Sequence, residues 1–182
     1  YGGGLTLTST TSTSPEKILT FTTPNPDLQY FQPGDQIGTD SGFAPVLYTG
    51  NGGTQSITGL GFSPDLVWIK ARFGTSIGWH CLADSIRGVG NLLYSNSTYA
   101  EESQPTSITS FDADGFTLGD YSMVNIDSST EYVAWCWDAG DTTVTNNDGT
   151  IESQVRSNGN FSIVSWDGNG VVSSNVGHGL TN

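Results

Sequence analysis

Few places in this chain carry residue types that could do chemistry. Asp84-Ser85-Ile86-Arg87-Gly88 sets a carboxylate and a guanidinium three residues apart inside an apolar stretch. That spacing gives either an ion pair closing a turn or an arginine presented to an anionic ligand. Asp112-Ala113-Asp114-Gly115 opens like a calcium loop but lacks the later oxygen ligands and the closing Glu, so a turn explains it better than a metal site at Asp112 and Asp114. Glu101 and Glu102 are sequence neighbours, and neighbours in an extended chain point apart, which does not make a glycosidase pair. His80 and His178 have no acid and nucleophile at a spacing that assembles a triad, and each reads as a partly exposed polar residue. The aromatics remain. Trp68, Trp135 and Trp137 stand on segments that read as core, whereas Trp79, Tyr99 and Tyr121 read as surface residues able to stack on sugar rings. Trp79, Arg87, Tyr99 and Tyr121 are therefore the candidate ligand-binding residues, with no catalytic residue, no cofactor and no metal expected.

Composition narrows the partners. The net charge is −13, with 18 acids spread along the chain and five Lys plus Arg. Phosphate binding needs clustered bases, and Lys70 and Arg72 are the only close pair, so nucleic acid is excluded as an expected partner. A diffuse acidic surface suits a particle or extracellular surface that must resist non-specific association. No apolar run approaches 18 residues, so no membrane insertion is expected. Cys81 and Cys136 are too few for a disulfide framework or zinc cage; each lies among aromatics and reads as a buried thiol, with one bridge between them as the alternative.

The elements that must position these groups are short strands. With 24 Gly and abundant Ser and Thr, long helices have little to grow from, so an all-β fold is expected, and short apolar runs separated by turn residues have the spacing of an antiparallel sandwich. Leu66-Val67-Trp68-Ile69 is apolar on both faces and belongs in the centre of a sheet. Strands are also expected over Gly78 to Leu82, Leu92 to Tyr94, Ile108 to Phe111 and Phe116 to Leu118, the last two joined by the Asp112–Gly115 turn. In Tyr132-Val133-Ala134-Trp135-Cys136-Trp137, alternation puts Tyr132, Ala134 and Cys136 on one face and Val133, Trp135 and Trp137 on the other, in what should be the most buried strand.

A repeat organises the chain. Val46-Leu47-Tyr48-Thr49-Gly50-Asn51-Gly52 returns 118 residues later as Val164-Ser165-Trp166-Asp167-Gly168-Asn169-Gly170, and the match continues to Gly59/Gly177 and Gly61/Gly179. Asn-Gly is a strong hairpin signal, so each copy predicts a strand, a tight turn and a returning strand. Repeats of this length are tandem domains rather than solenoid units. The expected layout is residues 1–42 as a β-rich N-terminal segment or the end of a preceding domain, 43–140 as a complete sandwich repeat, 141–160 as a hairpin-like connector and 161–182 as the start of a second repeat. Within the first segment, Thr6 to Ser14 is Thr/Ser-rich, Ile18 to Thr22 has strand composition, and Pro24–Asp27 and Pro33–Asp35 are turns.

Four motifs occur in order: Phe62 to Arg72, Asp84 to Gly88, Ser110 to Gly119, and Tyr132 to Trp137, followed by Phe161-Ser162-Ile163-Val164. The series over residues 43–182 resembles a tandem β-sandwich domain of unknown function from tail-fibre and other virion proteins of marine, cyanophage-like bacteriophages. The resemblance implies an antiparallel β-sandwich of jelly-roll or concanavalin-like kind and a virion location on the particle surface, and supplies no catalytic residues. It leads to the expectation of a non-enzymatic structural and adhesive component, a tail fibre or capsid-attached fibre segment. Its partners would be other virion proteins, its own copies (a trimer favoured) and a host surface glycan. A carbohydrate-binding module of a secreted or surface protein is the alternative, since sandwiches host many lectins.

Overall fold

In the computed structural model of the protein, residues 42–74 and 78–180 are described. The chain divides into two units, Tyr1–Ile37 and Gly38–Asn182, and every described residue belongs to the second. The expectations for Thr6 to Ser14, Ile18 to Thr22 and the turns up to Asp35 lie outside the described residues.

The described residues form β1 (Phe43–Thr49), β2 (Gln55–Thr58), β3 (Leu66–Phe73), β4 (His80–Asp84), β5 (Asn91–Tyr94), β6 (Glu102–Ser103), β7 (Ile108–Asp112) and β8 (Gly115–Leu118). The one-turn helix α1 (Ser122–Asn125) follows, then β9 (Glu131–Trp137), β10 (Thr143–Asn146), β11 (Ser153–Ser157) and β12 (Ser162–Trp166). Six strands make one sheet in the order β1-β9-β3-β4-β5-β6, while β2-β8-β7 and β10-β11-β12 make two smaller ones. Every pairing between these strands is antiparallel. The protein is an antiparallel β-sandwich.

Alternation along each strand builds the core. Val67, Ile69, Cys81, Ala83, Leu92, Tyr94, Tyr132, Ala134 and Cys136 all turn inward from the large sheet and meet Ile57, Ile108, Phe116 and Leu118 of the β2-β8-β7 sheet. Tyr48 joins the two layers: its ring stacks on Tyr132 at 5.0 Å and meets Phe116 edge-on at 6.5 Å, and its hydroxyl donates to the Val124 carbonyl at 2.7 Å. As expected, β3 is central and Tyr132, Ala134 and Cys136 share the buried face.

Two expectations fail. Trp68, Trp135 and Trp137 are not core; they are half-buried on the outer face of the large sheet. The inner face is filled by smaller and aliphatic groups, and the indoles stack among themselves outside it, with Trp68 5.4 Å from Trp135. The first Asn-Gly motif is not a hairpin either. β1 pairs with β9 and β2 with β8, so the turn at 50–53 carries the chain from one sheet to the other. The reason is a buried long-range partner, Asn125, which receives the Asn51 amide and turns the segment across the edge of the sandwich. Pairing with β9 then buries Val46 and Tyr48 against the core, which a local hairpin could not do. In the second copy, β12 pairs with β11, and no named strand follows it among the described residues.

Contacts that tie the third sheet to the sandwich include an ion pair, a ring stack and the Asn158 side chain, which donates to the Asp138 carbonyl at 2.8 Å. Arg156 forms an ion pair with buried Asp65, whose other oxygen accepts the Ala139 amide at 2.8 Å. Phe161 stacks on Trp137 at 5.8 Å. Within residues 141–160, β10 and β11 pair antiparallel, Thr143 opposite Arg156 and Asn146 opposite Ser153.

Candidate functional site

Tyr94 ends β5 and faces the core, so its hydroxyl emerges at the rim of the sandwich rather than in its middle. There it donates to Glu102 Oε2 at 3.1 Å. Because its only proton is used, the 3.1 Å contact with Tyr121 is a bond that Tyr121 donates. Burial, together with its own donation to the Glu102 carboxylate, pushes the Tyr94 hydroxyl well above the usual tyrosine range, so it stays a neutral donor. The result is a directed relay from Tyr121 through Tyr94 to the Glu102 carboxylate.

Trp79 precedes β4 and presses its ring edge-on against Tyr94 at 4.6 Å. On its other side stands Tyr99, 5.4 Å away with the rings tilted 43°, and 58% exposed. The loop carrying Tyr99 is fixed by Asn96. Its side-chain oxygen accepts the His80 amide at 3.0 Å, and its side-chain nitrogen donates to the Gly78 carbonyl at 3.2 Å. The loop is further closed by Ser97 donating its amide to Tyr94 and by Tyr99 donating its own to Ser97 Oγ. Trp79, Tyr94, Tyr99 and Tyr121 therefore form one aromatic patch with a carboxylate at its border. An exposed ring held by rigid neighbours loses little entropy when it stacks on a flat apolar face such as the C–H side of a sugar ring.

Three of the four expected ligand-binding residues, Trp79, Tyr99 and Tyr121, come together here. Arg87 does not join them, because it follows the other end of β4. Its Nε is 2.6 Å from Asp84 Oδ2, one terminal nitrogen binds Glu101 at 3.1 Å and the Asn91 carbonyl, and the other donates to the Leu82 carbonyl at 3.2 Å. Asp84 Oδ1 also accepts the Ile86 and Arg87 amides, so the pair closes the turn. Glu101 and Glu102 do point to different partners, Arg87 and Tyr94.

Asp114 spends its oxygens on protein amides. They accept from Gly61 at 2.6 Å and Gly59 at 3.0 Å, bonds that hold the carboxyl below its ordinary range. Asp112 Oδ2 accepts the Thr117 hydroxyl at 2.7 Å. Among the described residues no group of three or more His, Cys, Asp and Glu could hold a metal ion. His80 lies on the outer sheet face, where its Nδ1 accepts the Trp68 indole N–H at 3.2 Å.

The sequence reading missed Tyr94, Glu102 and Asn96 as members of the patch. Tyr94 reads as a strand residue and Glu102 as a loop acid; only their pairing across the rim gives them a role. For Asn96 a signal existed, since an Asn in a polar loop beside an aromatic strand is suited to holding backbone groups.

The fold and patch define a class: an antiparallel β-sandwich with a rigid aromatic patch at its rim. The chain belongs to the family described as a domain of unknown function, DUF7483, whose model matches residues 39–182. No curated protein and no solved structure matches it.

Proposed function

We propose that this domain is a non-enzymatic adhesive segment of a bacteriophage virion, part of a tail fibre or capsid-attached fibre, and that the Trp79–Tyr99 patch contacts host-surface glycan. The observation that carries the adhesive part is the continuous run of contacting aromatics from Tyr121 through Tyr94 to Trp79 and exposed Tyr99, with the Glu102 carboxylate bonded at the Tyr94 hydroxyl. A sugar would stack on Tyr99 and Trp79 and hydrogen-bond to the Glu102 and Tyr121 border. One such patch binds weakly, but copies carried on an oligomeric fibre multiply weak contacts into avidity. The diffuse acidic charge, −13 over the chain, keeps particles dispersed between encounters. The virion part rests on the ordered motifs between Phe62 and Trp137 and on the repeat. The non-enzymatic part is supported by acids already engaged in structural bonds, Asp84 and Glu101 with Arg87 and Asp65 with Arg156.

The same patch favours a second reading, a lectin-like module of a secreted or surface protein. Two experiments separate the two. Titration of tryptophan fluorescence with bacterial surface polysaccharides tests the patch: saturable quenching that Tyr99→Ala abolishes supports it, and no response to any polysaccharide overturns it. Immunogold labelling of intact particles with an antibody against residues 43–160 tests the location. Label on fibres or capsid supports the virion reading, and sugar binding without particle label leaves the lectin.

A further inference from the structure

The two copies of the repeated motif share a conformation but not an environment. Gly52 and Gly170 have φ of 69° and 68°. Asn51 Oδ1 accepts the Gly53 amide at 2.8 Å, and Asn169 Oδ1 accepts the Val171 amide at 2.9 Å. The local turn is therefore the same. The strands leading into it differ: Tyr48 is buried between Tyr132 and Phe116, whereas its counterpart Trp166 is 54% exposed.

Around β12 a second core has begun. Val155 is buried yet lies outside the main cluster of the sandwich. Register puts Val155 opposite Val164 and Ser153 opposite Trp166, so Val155, Val164 and Trp166 share one face of the β10-β11-β12 sheet. Residues 175–180 fold across that face. Gly177 accepts from Ser153 Oγ, and Gly179 sits so close to Val155 that a Cβ there would meet its Cγ1 at 2.5 Å. Val171 and Val172 remain exposed beside this beginning. Among the described residues β12 pairs with β11 alone, and a cleft of about 270 Å³ lined by Asp84, Arg87, Leu93 and Ile163–Trp166 runs along it.

We propose that the open edge of β12 is the seat of a β9-type strand from a further copy of this sandwich, and that β12 is the first strand of that copy's large sheet. The first copy supplies the template: β1 pairs with β9 in the register Val46↔Ala134 and Tyr48↔Tyr132. The same register at β12 sets Val164 opposite an alanine and Trp166 opposite a tyrosine. Trp166 is then covered as Tyr48 is, and its indole N–H donates where the Tyr48 hydroxyl does. An open strand edge with an apolar flank is a template for pairing, and here the sequence of the strand specifies which partner fits. The inference goes beyond the adhesive reading and stands without it, since it uses no residue of the aromatic patch.

The test extends the full 182-residue chain with a second copy of residues 65–140, which continues the repeat from Asn182 in register. Trp166→Cys is introduced in both lengths as the probe, because Cys81 and Cys136 are buried. Alkylation of the new thiol is expected to be fast in the original chain and at least 100-fold slower in the extended one. The added copy should also show dispersed methyl resonances of its own. Equal alkylation rates overturn the proposal. So does an added copy that stays unfolded after β12 but folds when residues 161–168 are replaced by the sequence of residues 43–50. Protection of the thiol in the original chain through dimerisation also overturns it, by assigning the edge to self-pairing.

Discussion

Asn125 and Asn51, 74 residues apart, hold each other by reciprocal bonds: the Asn51 amide donates to Asn125 Oδ1 at 2.7 Å, and Asn125 Nδ2 donates to Asn51 Oδ1 at 3.0 Å. The same Nδ2 reaches the carbonyls of Gly53 at 2.6 Å and Gly119 at 2.9 Å. One fully buried side chain thus joins the turn after β1 to the segment after β8. Removing it leaves those carbonyls and the Asn51 amide without their partner, each costing about 1–3 kcal/mol where water cannot replace the bond. Asn125→Ala is expected to destabilise the sandwich by about 2–4 kcal/mol, measured as a lowered urea midpoint at unchanged slope. A change under 0.5 kcal/mol would mean that water takes over the role.

Two glycines of similar sequence context should respond in opposite ways. Gly115 starts β8 where the backbone of β2 passes so near that a Cβ would stand 1.9 Å from the Ile57 carbonyl oxygen. Backbone cannot step aside without breaking the β2–β8 ladder, so Gly115→Ala should cost at least about 3 kcal/mol, in the range of severe single substitutions. Around Gly168 nothing lies within 4 Å. Gly168→Ala should stay within about 0.5 kcal/mol of the parent, as surface changes do. Thermal melting of both variants decides the contrast.

Strand positions were legible because alternation is a local property: the β9 pattern from Tyr132 to Trp137 assigns each side chain its face without knowledge of the neighbour. Pairing was not legible. The Asn51-Gly52 signal is the same in both copies, and only Asn125, far along the chain, turns the first into a crossing between sheets. The wide apolar alternation that marked Trp68 and Trp135 as core is likewise blind to which face is closed. Register shows a row Pro45–Trp135–Trp68–Leu82–Leu93 across five strands on the outer side. Of the candidate site, the residue types of Trp79, Tyr99 and Tyr121 were legible; their convergence needed the fold.

The cysteines should behave as inert core groups. Both are free, and burial pushes each thiol up to about 12. Cys81 pairs with Ile69 and Cys136 with Val67, so β3 lies between them; two strand spacings across the sheet and a two-residue offset along β3 put them roughly 12 Å apart. That exceeds the reach of a disulfide. Oxidants should leave the melting temperature unchanged. At pH 8, alkylation of both thiols should proceed only at the rate of unfolding, and one fast-reacting thiol in the native protein would contradict the packing.

His80 gives a pH dependence of definite sign. Burial, and then the nearby Lys70, lower its imidazole below the ordinary 6.5, and Nδ1 must stay unprotonated to accept the Trp68 indole. The folded state therefore binds fewer protons than the unfolded state between the two values. Its contribution to stability is complete above about 6.5 and is lost as pH falls through the folded value. Nuclear magnetic resonance should place the His80 midpoint below 6.5. Denaturation between pH 7 and pH 5 should show a decline that His80→Gln removes, since a glutamine oxygen can still accept from Trp68. A midpoint above 6.5 would reverse the sign.

The aromatic patch separates binding from stability. Tyr99 is held on the outside of Trp79 and contributes little to the core, so Tyr99→Ala should leave the melting temperature within about 2 °C, the scale of a few tenths of a kcal/mol in a domain of this size. Its loss should nonetheless abolish the proposed glycan binding, because the exposed stacking face is gone. Trp79→Ala removes the floor under Tyr99 and the edge contact to Tyr94, and should lower both stability and binding. Asn96→Ala removes no ring of the patch but frees the loop from His80 and Gly78. It should weaken binding by about tenfold, equivalent to about 1.4 kcal/mol of ordering that the ligand must then supply. Isothermal titration of the three variants beside the parent resolves the pattern. Equal affinity in all of them would remove the patch from recognition and shift attention to the outer face of the large sheet, where Leu47 and Leu93 are exposed around Trp68 and Trp135.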